Sequence, residues 1–243
     1  MKIKNKNQFL YTQTTTSSIS KEIPTGRYKG IQILHSGVHT SSVDLSDITD
    51  KIFVKCGKSM RVNGITFGKY GELNKLDNGI IVETDGTNFE YGIFLPVELD
   101  IDKTAMASIE INTIFAGATS NLIEINLIKA DEEDTLHNNF IHENSKTHTG
   151  KDTSRITAVN RVYIQPTTAS HILNISATDD TGNDKGSGNY EALRRNTQIF
   201  SEATEAAVGA IIDIADNPTN INLEVMNDST GTEYTIISEG IQD

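Results

Sequence analysis

Apolar and polar residues alternate along most of the chain with a period of two. Residues 88–95 carry Phe89, Tyr91, Ile93 and Leu95 on one face and mostly polar residues on the other. Successive side chains of a β-strand point to opposite faces of its sheet. The alternation therefore predicts strands with one face in a core and the other toward water or a partner.

The same alternation recurs along the whole chain and predicts eleven strands, while helical signal is scarce. Strands follow one another every 10–20 residues, with Gly, Asn, Asp, Ser and Thr between them. This spacing is typical of a sandwich or jelly roll rather than of βαβ units. Short helices are predicted only at 68–76 and 190–206. The predicted strands are 18–23, 28–34, 51–55, 88–95, 108–115, 122–128, 155–165, 171–177, 209–215, 220–226 and 233–238.

A polar segment near the middle of the chain suggests a boundary between two domains. Residues 131–152 contain six acids and two lysines, a net charge of −4, with few apolar residues and no clear period. A stretch of this kind is usually a linker or an exposed functional loop. We therefore predict a basic N-terminal arm at 1–14, a first domain at 15–130, an acidic linker at 131–152 and a second domain at 153–243.

Two further segments resemble each other across this boundary. Residues 108–127 and 210–225 both read as a strand, an Asn- and Thr-rich turn and a second strand, with an acid inside each strand. A duplicated domain would leave such a similarity between the two halves, and two unrelated hairpins would look equally similar.

Charge is distributed unevenly between the N-terminus and the rest of the chain. The net charge is −12, yet residues 1–9 carry Lys2, Lys4 and Lys6 and no acid, so the remainder carries −12 − 3 = −15. An acidic body repels phosphate backbones, which argues against sequence-specific nucleic-acid binding. The basic arm is suited to anionic lipid or nucleic acid, or it is simply a frayed polar terminus.

Several catalytic motifs fail on geometry or spacing. His35, Ser36 and His39 place a serine beside two histidines, but neighbours in a strand point to opposite faces. Gly150-Lys151-Asp152 lacks both the earlier glycine and the Ser/Thr of a phosphate loop. No catalytic residue and no cofactor is expected. The single Cys56 forms no intrachain disulfide and is interpreted as a small buried hydrophobe.

Two polar clusters could in principle bind a metal ion, but neither matches a known pattern. His137, His142 and His148 have spacings unlike those of a structural zinc site. The run Asp179–Asp184 resembles part of a calcium loop but lacks the glutamate of the EF-hand register. We interpret the histidines as surface residues and the run as a polar turn, and we expect no metal site.

Two segments resemble a known family. Residues 16–38 (TSSISKEIPTGRYKGIQILHSGV) and 50–74 (DKIFVKCGKSMRVNGITFGKYGELN) are similar to the opening of the corticovirus major capsid protein. The chain thus resembles double jelly-roll major capsid proteins of tailless, membrane-containing icosahedral bacteriophages, including those that infect flavobacteria. The resemblance implies an all-β fold of two tandem eight-stranded jelly rolls, with one short helix in each.

The resemblance also implies a function without catalysis. It implies homotrimers that form pseudo-hexagonal capsomers of an icosahedral shell around an internal membrane. Further partners would be neighbouring capsomers, penton and minor capsid proteins, and lipid contacted by Lys2, Lys4 and Lys6. The protein would be made in the host cytoplasm and reside in the virion. The alternatives are a β-sandwich spike or adhesin-type binding module, and an enzyme on a jelly-roll scaffold. The enzyme is disfavoured because three of six histidines lie in the linker and no aromatic-lined carboxylate pair is evident.

Overall fold

The chain folds into two compact units composed mainly of β-strands. The computed structural model describes residues 7–14, 18–76, 83–84, 86–102, 105–112, 115, 120–167, 171–200, 209–214 and 219–241. The first unit comprises residues 1–75 and 79–140, and the second comprises 141–243 together with 76–78. One α-helix accompanies each set of strands, α1 at Phe67–Leu76 and α2 at Tyr190–Phe200.

The strands of the first unit form two sheets. One sheet has the order β1-β10-β3-β7-β6, and the other strands follow the order β5-β4-β9-β2. A 3-10 turn at Leu45–Asp47 links β3 to β4. The strand bounds are β1 Asn7–Thr14, β2 Ile19–Ile23, β3 Gly26–Val43, β4 Lys51–Cys56, β5 Ser59–Thr66, β6 Glu83–Thr84, β7 Gly86–Leu95, β8 Leu99–Ile101, β9 Ala107–Asn112 and β10 Ser120–Lys129.

The long strand β3 is at the centre of the first sheet. It pairs antiparallel with β10, and also with β7 and, near its start, with β8. The chain between β7 and β8 begins at Pro96, which has no backbone N–H to donate to a ladder. We therefore regard β7 and β8 as one interrupted strand.

Alternation along the strands builds the core of the first unit. Ile33 of β3 lies opposite Ile93 of β7 and Ile125 of β10, and all three are almost fully buried. Ile52 and Ile111 are opposed and buried in the same way in the second sheet. The apolar face of each strand therefore points inward, as the period-two pattern predicts.

The second unit is built from seven described strands. Their order is β14-β13-β16-β12-β17-β11, and β15 pairs with β12. A buried cluster including Val162, Ile175, Leu223 and Ile236 forms the core. The bounds are β11 Asn139–His148, β12 Lys151–Pro166, β13 Ile172–Asp179, β14 Asp184–Asn189, β15 Ala210–Asp213, β16 Thr219–Asn227 and β17 Thr232–Ile241.

A bend in β12 lets this strand serve two sets of neighbours. Its first part, Lys151 to Ile156, pairs with β16, whereas the part from Arg161 onward pairs with both β15 and β17. Between them lies Ala158, with φ at 54°, the one described non-glycine residue with positive φ. Its N–H donates to the Asn220 side-chain oxygen over 3.1 Å.

The structure has a strand at each of the eleven predicted positions and a helix at both predicted helices. Residues 113, 114 and 215 of the predicted strands lie outside the described residues. The helix predicted at 190–206 is present to Phe200, and 201–208 lie outside the described residues. The predicted arm 1–14 is wrong over 7–14, because Asn7–Thr14 is a strand paired with β10. The linker 131–152 is also wrong over most of its length. Residues 130–138 are irregular, but β11 begins at Asn139 and β12 at Lys151.

Candidate functional site

The basic residues proposed as the N-terminal contact lie outside the described part of the chain. Lys2, Lys4 and Lys6 belong to residues 1–6. The described chain begins at Asn7, which is paired with Ile128 near the end of β10. The acidic segment Asp131–Asp134 follows β10 directly.

Arg27 attaches the acidic segment to the first unit. One guanidinium nitrogen, Nη1, donates to the carbonyls of Asp131 and Glu132 over 2.8 and 2.9 Å, and Nη2 donates to that of Asp134 over 2.5 Å. Lys29, two residues along the same strand, pairs with the Asp134 carboxylate at 2.8 Å. The hydrogen bond from Lys29 to Asp134 raises the pKa of that lysine. The segment is therefore bound to β3 rather than free, which the sequence did not predict.

A buried polar cluster occupies the core of the first unit. His35 and Asp50 are 0% and 1% exposed, and His35 Nδ1 lies 2.8 Å from Asp50 Oδ2. On the other side of the ring, Nε2 lies 3.0 Å from the Asn121 side-chain oxygen. Asn121 donates to the Phe115 carbonyl, and the Phe115 N–H donates to Asp50 Oδ1 over 2.6 Å. Phe67 and Phe89 meet the imidazole edge-on.

This cluster cannot act on a substrate in the folded protein, because its reactive atoms are enclosed by core side chains. His39, the other histidine near Ser36 in the sequence, is not enclosed in the core. Its Nδ1 accepts the backbone N–H of Ser41 at 3.1 Å and lies 2.9 Å from the Ser41 hydroxyl. This pair lies within the later part of β3 itself.

Gly150, Lys151 and Asp152 belong to the turn and strand that follow β11. Gly150 adopts φ +73°, and Lys151 pairs with Glu224 on the neighbouring strand. Asp152 accepts hydrogen bonds from Lys146, at 2.8 Å, and from the Tyr234 hydroxyl. Burial of Asp152 acts to raise its pKa, but these two hydrogen bonds outweigh it and hold the pKa below its ordinary value. The residues therefore join strands and do not cradle phosphate.

The run Asp179–Asp184 forms a self-contained turn at the end of β13. The Asp179 carboxylate accepts hydrogen bonds from the backbone N–H groups of Thr181 and Asn183 and from both of their side chains. The bond from the Thr181 hydroxyl, with those from Asn183, lowers the pKa of Asp179 well below its ordinary value. Asp180 binds Arg155 at 2.9 Å. Donors thus already surround the oxygens that a cation would need.

The three histidines of the predicted linker lie apart from one another. The backbone N–H of His137 donates to Glu98 over 2.5 Å, His142 lies within β11, and the His148 ring donates to the Thr149 carbonyl over 2.6 Å. Within the described residues, no group of three or more His, Cys, Asp or Glu side chains is placed to hold a metal ion. In the same part of the chain, no helix has the length and apolarity needed to cross a membrane.

Apolar side chains are also exposed on the first unit. Val38 and Leu122 are 41% and 36% exposed and lie on the outer faces of the adjacent strands β3 and β10. Met60 and Met106 are exposed near the β4–β5 turn, where Gly57 donates to the Met106 carbonyl. Cys56, in the same turn region, is a half-exposed free thiol rather than the predicted buried hydrophobe.

Comparison with solved structures identifies the fold. The crystal structure of the STIV MCP matches with a TM-score of 0.64 and 13% identity, over 95% of this chain and 96% of that one. A chain of Sulfolobus Turreted Icosahedral Virus matches with a TM-score of 0.64 and 12% identity, over 94% and 89%. The major capsid protein P2 from bacteriophage PM2 matches with a TM-score of 0.59 and 12% identity, over 98% of both chains.

These matches confirm the predicted double jelly-roll fold along almost the whole chain. The described strands number ten in the first unit and seven in the second, where we had predicted eight in each. Interruption of one strand into β7 and β8, and the short β6, account for the larger number in the first unit. No protein-family model matches the sequence, and no curated protein is similar to it.

Proposed function

We propose that this protein is the major capsid protein of a tailless icosahedral virus. The observation that carries the proposal is the end-to-end similarity to viral capsid chains, which spans both jelly-roll units rather than one. Sandwich domains occur in many proteins, but a tandem pair of matching size and order along an entire chain is far more specific. Fold similarity alone does not establish function, so the proposal needs a direct test of assembly.

The polar chemistry of the described residues supports a structural role. The most elaborate hydrogen-bonded clusters, around His35, Asp152 and Asp179, hold strands and turns together. The net charge of −12 would help to keep many copies soluble before assembly. Assembly of the chain with copies of itself, rather than turnover of a substrate, is the function that such a molecule serves.

The proposed assembly is a homotrimer that forms a pseudo-hexameric capsomer. Two jelly rolls per chain would place six sandwiches around each trimer axis. Neighbouring capsomers, pentons and minor capsid proteins would complete a shell around an internal membrane, in virions assembled from protein made in the host cytoplasm. The acidic segment Asp131–Asp134 would be exposed on such a capsomer.

The first test is the solution mass of the full chain by light scattering, at two protein concentrations and two salt concentrations. We expect a mass near three times 26.6 kDa that is insensitive to salt. A stable monomer at both concentrations would overturn the capsomer proposal. It would favour the alternative, a β-sandwich spike or adhesin-type module, and a ligand screen would then follow.

A second test concerns the N-terminal arm, which we propose contacts the membrane or a neighbouring capsomer through Lys2, Lys4 and Lys6. Deletion of residues 1–6 should leave the trimer mass unchanged and lower the yield of closed shells. The deletion stops before β1, because loss of Asn7–Thr14 would remove an edge strand and confuse folding with assembly. A matched variant with all three lysines replaced by glutamine separates charge from length. Unchanged shell yield in both variants would contradict the proposal.

A further inference from the structure

The β4–β5 hairpin is positively charged, although the chain as a whole is acidic. Residues 51–71 contain five lysines and arginines and no acid, whereas the net charge of the chain is −12. Lys55 and Lys58 lie at the turn of this hairpin, and both are exposed. Neither forms an ion pair or a side-chain hydrogen bond with the described residues. The turn therefore presents two positive charges to solvent without a counter-charge from the described part of the chain.

Two exposed methionines lie near these lysines. Met60 is directly opposite Lys55 in the β4–β5 ladder and is 37% exposed, and Met106, just before β9, is 73% exposed. The Gly57 N–H donates to the Met106 carbonyl over 2.8 Å, which holds the turn against the start of β9. Methionine side chains are flexible and adapt to an irregular partner. Lys55, Lys58, Met60 and Met106 form a positive and partly apolar surface, which we call the basic tip.

The acidic segment Asp131–Asp134 has the opposite charge and is held in place through its backbone. Arg27 donates to three of its carbonyls and therefore fixes the segment without neutralising its carboxylates. Glu132 and Glu133 are exposed, and neither carboxylate has an ion-pair or hydrogen-bond partner among the described residues. The chain thus carries two exposed surfaces of opposite charge, each fixed to the fold of the first unit and each without a described partner.

We propose that the basic tip of one copy docks on the acidic segment of a second copy and joins neighbouring capsomers. This inference rests on the proposed capsid function and specifies one contact that the shell would use. Each copy carries one surface of each kind, so the contact is heterologous and can repeat from copy to copy. Exposed ion pairs are individually weak and are screened by salt. The contact therefore suits the association of capsomers and not the trimer itself, whose mass we expect to be insensitive to salt.

Charge favours a second copy over an anionic membrane or a nucleic acid as the partner. Two copies that each carry a net charge of −12 repel at long range, so they approach most readily where opposite local charges meet. The acidic segment supplies such a charge in a fixed position on every copy. A membrane or nucleic acid would meet the same long-range repulsion from the acidic body, and two lysines offer little to offset it.

The test is static light scattering of the full-length protein, which gives the mass of the particles and the second virial coefficient, a measure of attraction between them. Measurements in about 0.1 M and about 1 M sodium chloride compare a screening length of about 10 Å with one of about 3 Å. For the wild type we expect attraction at the lower salt concentration and its loss at the higher one. Particles that only repel one another would show the opposite response to salt, and this result would overturn the proposal.

Charge-reversal variants separate local complementarity from net charge. Lys55→Glu/Lys58→Glu and Glu132→Lys/Glu133→Lys should each abolish the attraction, because each makes the two surfaces alike in charge. The second variant also brings the net charge closer to zero, so an effect of net charge alone would increase the attraction instead. Combining all four changes restores the complementarity and the wild-type net charge, and it should restore the attraction.

The matched control combines Lys55→Glu/Lys58→Glu with Glu110→Lys and Glu233→Lys. It has the wild-type net charge, but its new lysines are at exposed positions of β9 and β17, outside the acidic segment. We expect no attraction in this variant. Because every changed residue is exposed, the particle mass should be the same in all variants.

Three results with the variants would overturn the contact. They are attraction in Glu132→Lys/Glu133→Lys equal to that of the wild type or greater, no recovery in the four-residue variant, and recovery in the control. Loss of attraction in the lysine variant alone would indicate another acidic partner, such as an anionic membrane, and would equally reject the second copy. The mass tests the capsid proposal separately, because a monomer rejects the capsomer, whereas trimers without attraction reject only this contact.

Discussion

Ala158 is the residue at which local backbone preference and global topology conflict. Its φ of 54° is unfavourable for any residue with a Cβ, because the Cβ crowds the following carbonyl. The conformation persists because β12 must leave β16 and join β15 and β17 within a few residues. The hydrogen bond from its N–H to Asn220 compensates for part of this strain.

Replacing this residue with glycine should stabilise the protein. Glycine adopts positive φ without the Cβ clash, and after its greater loss of chain entropy we expect a net gain of up to about 1 kcal/mol in unfolding free energy. Ala177→Gly provides the control, since Ala177 is buried in the regular strand β13. That variant should lose about 1 kcal/mol. Denaturant unfolding measures the change in unfolding free energy of both variants, which should be a gain for Ala158→Gly and a loss for Ala177→Gly. A loss of stability in Ala158→Gly would show that the bend is not strained.

A side-chain hydrogen bond joins helix α2 to its neighbouring strand. The Thr197 hydroxyl donates to the Leu193 carbonyl at 3.0 Å within the helix and accepts the Ile211 N–H of β15 at 2.8 Å. Tyr190 at the start of the helix is buried in the core cluster, and burial raises the pKa of its hydroxyl. The helix is thus positioned by a buried aromatic at one end and a shared hydroxyl near the other.

Removal of that hydroxyl should weaken the second unit measurably. In Thr197→Val the shape is kept but the Ile211 N–H loses its acceptor, at a cost of about 1–3 kcal/mol. Thr197→Ser keeps both hydrogen bonds and loses one methyl group, so its cost should be below about 1 kcal/mol. Thermal unfolding of the two variants makes the comparison. Equal destabilisation would mean that packing, not hydrogen bonding, secures the helix.

Two of the strands that sequence analysis missed, β11 and β14, have a weak or interrupted alternation. β11 runs through ten residues of which eight are polar or charged, and most of its side chains remain partly exposed. β14 contains two glycines and has no buried residue, so neither strand carries an apolar face to detect. Both form because a neighbouring strand supplies hydrogen-bond partners, as β13 does for β14. A pattern based on burial does not reveal strands that are held mainly by backbone pairing.

At the scale of the molecule, neither of the two segments that resemble each other forms a simple hairpin. β9 pairs with β2 and β4, whereas β10 pairs with β1 and β3 of the other sheet. In the second unit, β15 pairs with the later part of β12 and β16 with its earlier part and with β13. Each segment therefore passes between two sets of strands and is not the simple hairpin that the sequence equally allowed.

Carboxylates with lowered pKa values are concentrated in the second unit. They are Asp152, Asp179, Asp184 and Glu191. Hydrogen bonds from Lys146 and Tyr234 lower the pKa of Asp152, and those from Thr181 and Asn183 lower the pKa of Asp179. A hydrogen bond from Ser187 does the same for Asp184, and one from Arg194 does so for Glu191. A carboxylate whose folded pKa is below its unfolded pKa stabilises the folded state above the unfolded value. That stabilisation is lost as pH falls through the folded pKa.

We therefore expect acid to destabilise the second unit below about pH 4. Hydrogen exchange between about pH 5 and pH 2.5 should show protection falling earlier in β12 and β13 than in β3 and β7. Asp152→Asn should reduce the pH dependence, because Asp152 can no longer bind a proton on unfolding. Glu233→Gln, an exposed change on β17, should leave it unaltered. A fall in protection that begins in the first unit would contradict this expectation.

Local patterns were sufficient to predict the eleven strands, both helices and a sandwich or jelly-roll class, because a strand's burial pattern depends mainly on its own residues. The tandem pair of jelly rolls was implied only by the resemblance to capsid proteins. The attachment of Asp131–Asp134 to Arg27 and the enclosure of His35 by Asp50 and Asn121 were not predictable in this way. Arg27 reaches carbonyls more than 100 residues away, and His35 meets Asn121 across 86 residues. Such contacts exist only after the strands have paired in their final order, and a single sequence contains no local signal for that order.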